Sequence, residues 1–133
     1  MNLPIIDEIF KAYDVRGIYP SQINEEVFLN LGKALANKIT DSGNDSVVVC
    51  MDGRLSSSLL KKSLVDGLTS MGLDVIDIGL LPTPFLYFSL YEKNIPNGIM
   101  ITGSHNPKEH NGIKIVLNWQ TLFGEHILEL KDI

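Results

Sequence analysis

Four short apolar runs, at 46–51, 73–79, 98–102 and 113–117, recur along this chain of 133 residues. The first three alternate with stretches whose apolar residues repeat every three or four positions. Their β-branched residues make the runs strands, and the helical spacing makes the intervals amphipathic helices. That alternation hides both kinds of apolar surface only when the strands share one sheet and the helices cover its two faces. The chain is therefore expected to form one α/β domain over residues 1–133, three layers deep (α/β/α), around a mixed, mostly parallel sheet. In such sheets the working loops gather at the carboxyl ends of the strands. Two of these ends are polar here, Asp52-Gly53-Arg54 and Thr102-Gly103-Ser104. They are far apart in sequence and are expected to be neighbours in space.

The helices carry their own start and stop signals. Asn24 caps the first, ahead of Glu25-Glu26, and Asp41-Ser42-Gly43-Asn44 ends it. Its inner stripe is Val27, Leu31, Ala34, Leu35 and Ile39. Ser56 or Ser57 caps the second helix, which turns Leu59, Leu60, Leu64, Leu68 and Met71 inward and is closed by Gly72. Thr83 caps the third, Pro84 occupies its first turn, and Phe85, Leu86, Phe88 and Leu90 are expected in the core. Beyond 117, Asn118-Trp119-Gln120 turns, Thr121-Leu122-Phe123 pairs back as a short strand, and a helix starts at Gly124 with His126 on its surface. Near the N-terminus, Gly17 and Pro20 keep Tyr13 and Arg16 on an extended or turning segment.

Composition removes several function classes. With 11 Lys and Arg against 16 Asp and Glu, the formal charge is −5 and no basic run interrupts it, which argues against a nucleic-acid surface. No apolar stretch approaches the ~20 residues that span a bilayer. Met1-Asn2-Leu3-Pro4 does not begin a signal peptide, so a soluble, cytoplasmic protein is expected. The lone Cys50 sits in Val47-Val48-Val49-Cys50-Met51 and forms no internal disulfide, in keeping with a reducing compartment. Its apolar flanks argue against catalysis.

The densest chemistry lies in Thr102-Gly103-Ser104-His105-Asn106-Pro107-Lys108-Glu109-His110-Asn111-Gly112-Ile113-Lys114-Ile115. Gly103 would leave the Ser104 hydroxyl exposed at a loop tip. A hydrolase nucleophile is disfavoured, because a Gly-x-Ser-x-Gly elbow is absent and an adjacent histidine on extended backbone points away from its neighbour. The other use of such a serine is to carry a phosphoryl group. Transfer then requires a cation over the phosphoryl oxygens, fixed donors and a proton-exchanging group. His105, Lys108 and Lys114 offer the charge, and Asn106, Asn111 and backbone amides offer neutral donors. Lys114, on the outgoing strand, is the better-anchored proton-transfer candidate.

Thr102-Gly103-Ser104-His105-Asn106-Pro107 followed by Asn111-Gly112-Ile113-Lys114 resembles the phosphoserine loop of the α-D-phosphohexomutase superfamily. Tyr13-Asp14-Val15-Arg16-Gly17 resembles that family's N-terminal signature, and Asp52-Gly53-Arg54-Leu55-Ser56-Ser57 its second one. The Thr-Gly form of the loop is most similar to the bacterial phosphomannomutase/phosphoglucomutase branch; the phosphoglucosamine branch more often has Ser-Ala there. The resemblance implies that Ser104 is phosphorylated and, through its phosphate, ligates Mg²⁺. It implies proton transfer by Lys114 and His105, and phosphate or substrate contacts from Tyr13, Arg16, Arg54 and Asn106. His110 stands where many relatives carry tyrosine and receives no role.

The implied partners are mannose or glucose 1- and 6-phosphates and a hexose 1,6-bisphosphate. The resemblance covers only the first of four domains, and the loops that supply the other metal ligands and read the sugar are not in this sequence. The chain is therefore expected to be a piece of a longer mutase, inactive by itself. A phosphoglucosamine mutase domain and a non-catalytic phosphosugar-binding module are the alternatives.

Overall fold

A computed structural model describes residues 14–54, 56–102 and 110–121. Tyr13, Ser104, His105, Asn106 and the expected helix from Gly124, with His126, lie outside the described residues. In order, the elements are β1 (Asp14–Ile18), α1 (Glu25–Asp41), β2 (Ser46–Met51), α2 (Ser57–Ser70), β3 (Asp74–Leu80), α3 (Thr83–Lys93), β4 (Gly98–Ile101), β5 (His110–Leu117) and β6 (Gln120–Thr121). The strands form one sheet in the order β1-β5-β4-β2-β3, with β6 paired to β5. Parallel pairing joins β2 to β3 and β4, while β5 runs antiparallel to β1, β4 and β6. The reversal at β5 follows from its short connection: residues 102–109 are too few for the crossover that a parallel strand needs. The segment bearing Arg16 is thus a strand, paired with the exit strand of the serine loop.

The alternating side chains of the sheet separate the core into two layers. Val47, Val49, Ile99, Ile101, Ile113 and Ile115 face α1 and α2, whereas Val48, Cys50, Met100 and Val116 face α3. On α1, Asn24 caps as expected, its side chain accepting from Val27 N at 3.0 Å, and Val27, Leu31, Ala34, Leu35 and Ile39 are all buried. At the start of the same helix, the Tyr19 hydroxyl donates to Glu25, fastening the segment after β1 to α1. Helices α1 and α2 meet through Gly32 and Gly67, where a Cβ on Gly67 would stand 3.1 Å from the Gly32 Cα. The backbones pack against each other with no side chain between them.

Three expectations about the helices are corrected. On α2, Leu60, Leu64 and Leu68 are buried, but Leu59 is 54% exposed and Met71 45% exposed. Met71 is the residue that ends the helix, so it falls outside the stripe. On α3, Leu86 and Leu90 seat over Gly98 of β4, while Phe85 and Phe88 are 51% and 61% exposed. Positions 86 and 90 are one turn apart and fix the inner side, which leaves 85 and 88 pointing away. The cap position of α3 is Pro82 rather than Thr83.

The end of the sheet remote from the polar loops has its own clamp. Asn97 is fully buried, donates to Ser46 O at 3.2 Å and accepts from Asn118 N at 3.0 Å. It joins β2, β4 and the β5–β6 turn. Trp119, in that turn, stacks on Tyr91 of α3 with ring centroids 5.1 Å apart.

Cys50 is fully buried on the α3 side. Burial, with the Asp77 carboxylate nearby and the Lys61 ammonium opposing it, pushes the thiol up to about 12. At about pH 8 the folded chain should resist iodoacetamide and alkylate only after denaturation, because thiolate is the reactive form. Rapid labelling of native protein, read by intact mass, would show that the β2–α3 layer opens easily.

Candidate active site at the carboxyl ends of the central strands

Strands β2 and β4 are parallel neighbours, so the turns that follow them start side by side. Asp52 N donates to Ile101 O at 2.9 Å, and Thr102 N donates to Gly112 O at 2.9 Å. The first bond joins the Asp52-Gly53-Arg54 turn to β4. The second holds the two ends of the serine loop together, since Thr102 enters it and Gly112 lies on its exit strand. The expected adjacency of the two polar strand ends is thereby observed for their described residues.

A side-chain network locks this arrangement. Asp52 Oδ1 accepts from Arg54 N at 3.1 Å and from Ser57 Oγ at 2.6 Å, and Oδ2 accepts from Arg54 Nε at 3.2 Å. The aspartate therefore folds the turn onto the first turn of α2 and holds the guanidinium of Arg54 by a charge-assisted bond. Asn111, at the start of β5, donates from Nδ2 to Ser56 Oγ at 2.8 Å and to Ser57 Oγ at 3.0 Å. Its Oδ1 accepts from Gly112 N at 2.9 Å. Asn111 and Ser57 are both fully buried, and a buried polar group of this kind is tolerated only when its bonds are made.

These contacts change the reading of four residues. Asn111 is not a donor held out to a ligand, because its amide is used inside the frame. Ser56 occupies the cap position of α2 but makes no side-chain cap bond; its hydroxyl accepts from Asn111 instead. Asp52 and Ser57 were legible only as a strand end and a candidate cap. Their pairing required the fold to bring the turn and the helix start together.

Lys114 and Arg54 approach this end from different sides. Ile113 and Ile115 belong to the α1–α2 layer and Val116 to the α3 layer, so half-buried Lys114 lies on the α3 side of β5. Its register partners are Met100 on β4 and Asp14 on β1. Arg16 lies opposite Gly112, two positions along β5 from Lys114. The sheet thus brings the strand of the N-terminal signature beside the exit strand of the serine loop. Among the described residues, no three His, Cys, Asp or Glu side chains are grouped to hold a metal ion. No described helix is long and apolar enough to cross a membrane.

The comparisons agree with this architecture. The sequence profile described as phosphoglucomutase/phosphomannomutase, alpha/beta/alpha domain I, matches residues 7–129. A phosphoglucomutase of Neisseria meningitidis serogroup B is 42% identical over 129 residues, covering 97% of this chain and 28% of that protein. A phosphomannomutase/phosphoglucomutase of Pseudomonas syringae pv. tomato is 42% identical over 130 residues, covering 97% and 28% respectively. The crystal structure of a phosphoglucomutase/phosphomannomutase family protein from Burkholderia thailandensis superposes with a TM-score of 0.89 at 37% identity. It covers 96% of this chain and 30% of that one. The chain spans about 28% of the length of the curated relatives it matches.

Proposed function

Because this chain belongs to the phosphoglucomutase/phosphomannomutase family, as its α/β/α domain I, we propose that it is the phosphoryl-carrying domain of a phosphohexomutase. Residues 1–133 form this domain, the remaining domains belong to a longer polypeptide, and Ser104 is the carrier. The observation that supports the reading is the frame at the strand ends. The turn bearing Arg54 and both ends of the loop bearing Ser104 are tied to one another by backbone and side-chain bonds. A phosphoryl carrier needs such rigidity, since in-line transfer between oxygens depends on placement more than on covalent chemistry by the protein.

In the proposed reaction the bond from phosphorus to Ser104 Oγ breaks as one to a sugar hydroxyl oxygen forms. The hydroxyl proton passes to Lys114 or His105, and Ser104 Oγ is reprotonated. The bisphosphorylated sugar then turns over, and its other phosphate returns to Ser104 by the reverse proton movements. Tyr13, Arg16, Arg54 and Asn106 contact phosphoryl oxygens. Mannose or glucose phosphates are the substrates, with the Thr102-Gly103 form of the loop favouring them over glucosamine phosphate, and the setting is the cytoplasm.

Magnesium, when bound, would neutralise charge on the phosphoryl oxygens. This chain would offer it a phosphate oxygen of Ser104, and the described residues add no carboxylate cluster, so the other ligands are assigned to a further domain. By the same reasoning the 133 residues alone are expected to be inactive, and turnover of glucose 1-phosphate by them alone would overturn that expectation.

The test is peptide mass mapping of the longest polypeptide that carries these residues, before and after adding hexose monophosphate and Mg²⁺. Phosphate on Ser104, lost as hexose bisphosphate appears, is the expected result. A Ser104 that is unmodified, and that hexose 1,6-bisphosphate fails to load, would instead indicate a phosphosugar-binding module.

A further inference from the structure

The side chain of Asn111 takes no part in the transfer as proposed, yet it is fully buried among the groups that hold Arg54. Ser57 Oγ has one proton to give. Because Asn111 Nδ2 donates to that oxygen at 3.0 Å, the hydroxyl proton is turned toward Asp52 Oδ1 at 2.6 Å. Asp52 then has Oδ1 committed to Ser57 and the turn backbone, and presents Oδ2 to Arg54 Nε at 3.2 Å. Each bond in this series fixes the donor direction of the next.

We propose that Asn111 is a positioning residue: its carboxamide, acting through Ser57 and Asp52, sets the guanidinium of Arg54 relative to β5, the strand that bears Lys114. The inference rests on the reading of Arg54 as a phosphate contact. It adds that the loop-exit strand and the arginine turn are adjusted as one body. A one-residue error at either end would be felt at both.

The isosteric change Asn111→Asp distinguishes positioning from packing. It keeps the shape and the acceptor for Gly112 N, but the ionised group accepts from Ser57 rather than donating to it. The Ser57 proton is then contested between two carboxylates, and Asp52 loosens its hold on Arg54. Two carboxylates sharing one hydroxyl raise the pKa of one of them, so acidification returns a donor to the substituted position. Asp52 and Arg54 are titratable groups that belong to this network.

The first measurement follows the Arg54 Nε–H resonance of the 133-residue chain by ¹⁵N–¹H NMR. Its solvent exchange is expected to accelerate about tenfold or more in Asn111→Ala at all pH values. In Asn111→Asp it should accelerate at about pH 8 and slow again toward about pH 5. Amide dispersion in the same spectra reports whether each variant is folded. Wild-type exchange at Arg54 in both folded variants would overturn the proposal.

The second measurement is steady-state mutase kinetics in the longest polypeptide. There Asn111→Asp should lower kcat about tenfold to a hundredfold at neutral pH with KM little changed. Unchanged kcat in a folded variant would also overturn it. If the wild type carries no phosphate on Ser104, the mutase reading fails, while the exchange data still decide whether Asn111 governs Arg54.

Discussion

Gly67→Ala is expected to cost this chain about 3 kcal/mol of stability or more, as overpacking between two backbones does. On an exposed helix the same change would add about 1 kcal/mol, since alanine is the better helix former. The sign is reversed by the neighbour. A Cβ at position 67 would stand 2.1 Å from Leu29 O, and one at position 32 would stand 2.4 Å from Leu64 O. Both obstacles are carbonyl oxygens within helices, which cannot swing aside as a side chain can. Relief requires α1 and α2 to separate, and α1 carries Phe28, Leu31, Leu35 and Ile39 into the larger core layer.

Gly32→Ala should act in the same direction, and the pair should not be additive, because either methyl already opens the crossing. Urea unfolding followed by far-UV circular dichroism is the measurement, with the exposed Lys62→Ala as reference. A Gly67→Ala midpoint at or above the wild type would mean that the helices do not meet backbone to backbone.

On the proposed mechanism, Ser104→Ala in the longest polypeptide should lower mutase turnover about a thousandfold or more, because the proposed carrier hydroxyl is gone. Its unfolding midpoint should be unchanged, since the frame is built from Asp52, Ser56, Ser57 and Asn111. Lys114→Met should produce a different result. Ser104 would still be found phosphorylated, but turnover would fall about a hundredfold or more for want of proton transfer. Coupled assay of glucose 6-phosphate from glucose 1-phosphate, together with phosphopeptide mapping, separates the two. Turnover in Ser104→Ala within tenfold of the wild type would remove the serine as carrier, and unaltered turnover in Lys114→Met would return proton transfer to His105.

The local elements were largely legible in the sequence, because short-range physics sets them. The cap at Asn24 and the stripe of α1 follow from spacing alone, and so does β2, whose run at 46–51 needs no partner to be recognised. The family likewise follows from contiguous motifs. Errors appear where a residue's environment depends on what lies across from it. Phe85 and Phe88 read as core because they are aromatic; they are exposed because Leu86 and Leu90 meet Gly98 first.

The site divides in the same way. Its residue types and their order were in the motifs, and so was the expectation that two strand ends would meet. Which of those residues face outward was decided only when β5 turned back along β4. The pleat then put Asn111 on the α2 side and Lys114, three positions on, on the α3 side. A sequence lists donors and acceptors without saying which will satisfy one another. Burial makes that choice, because an amide enclosed at the start of α2 must spend its hydrogen bonds on Ser56 and Ser57 rather than on a ligand.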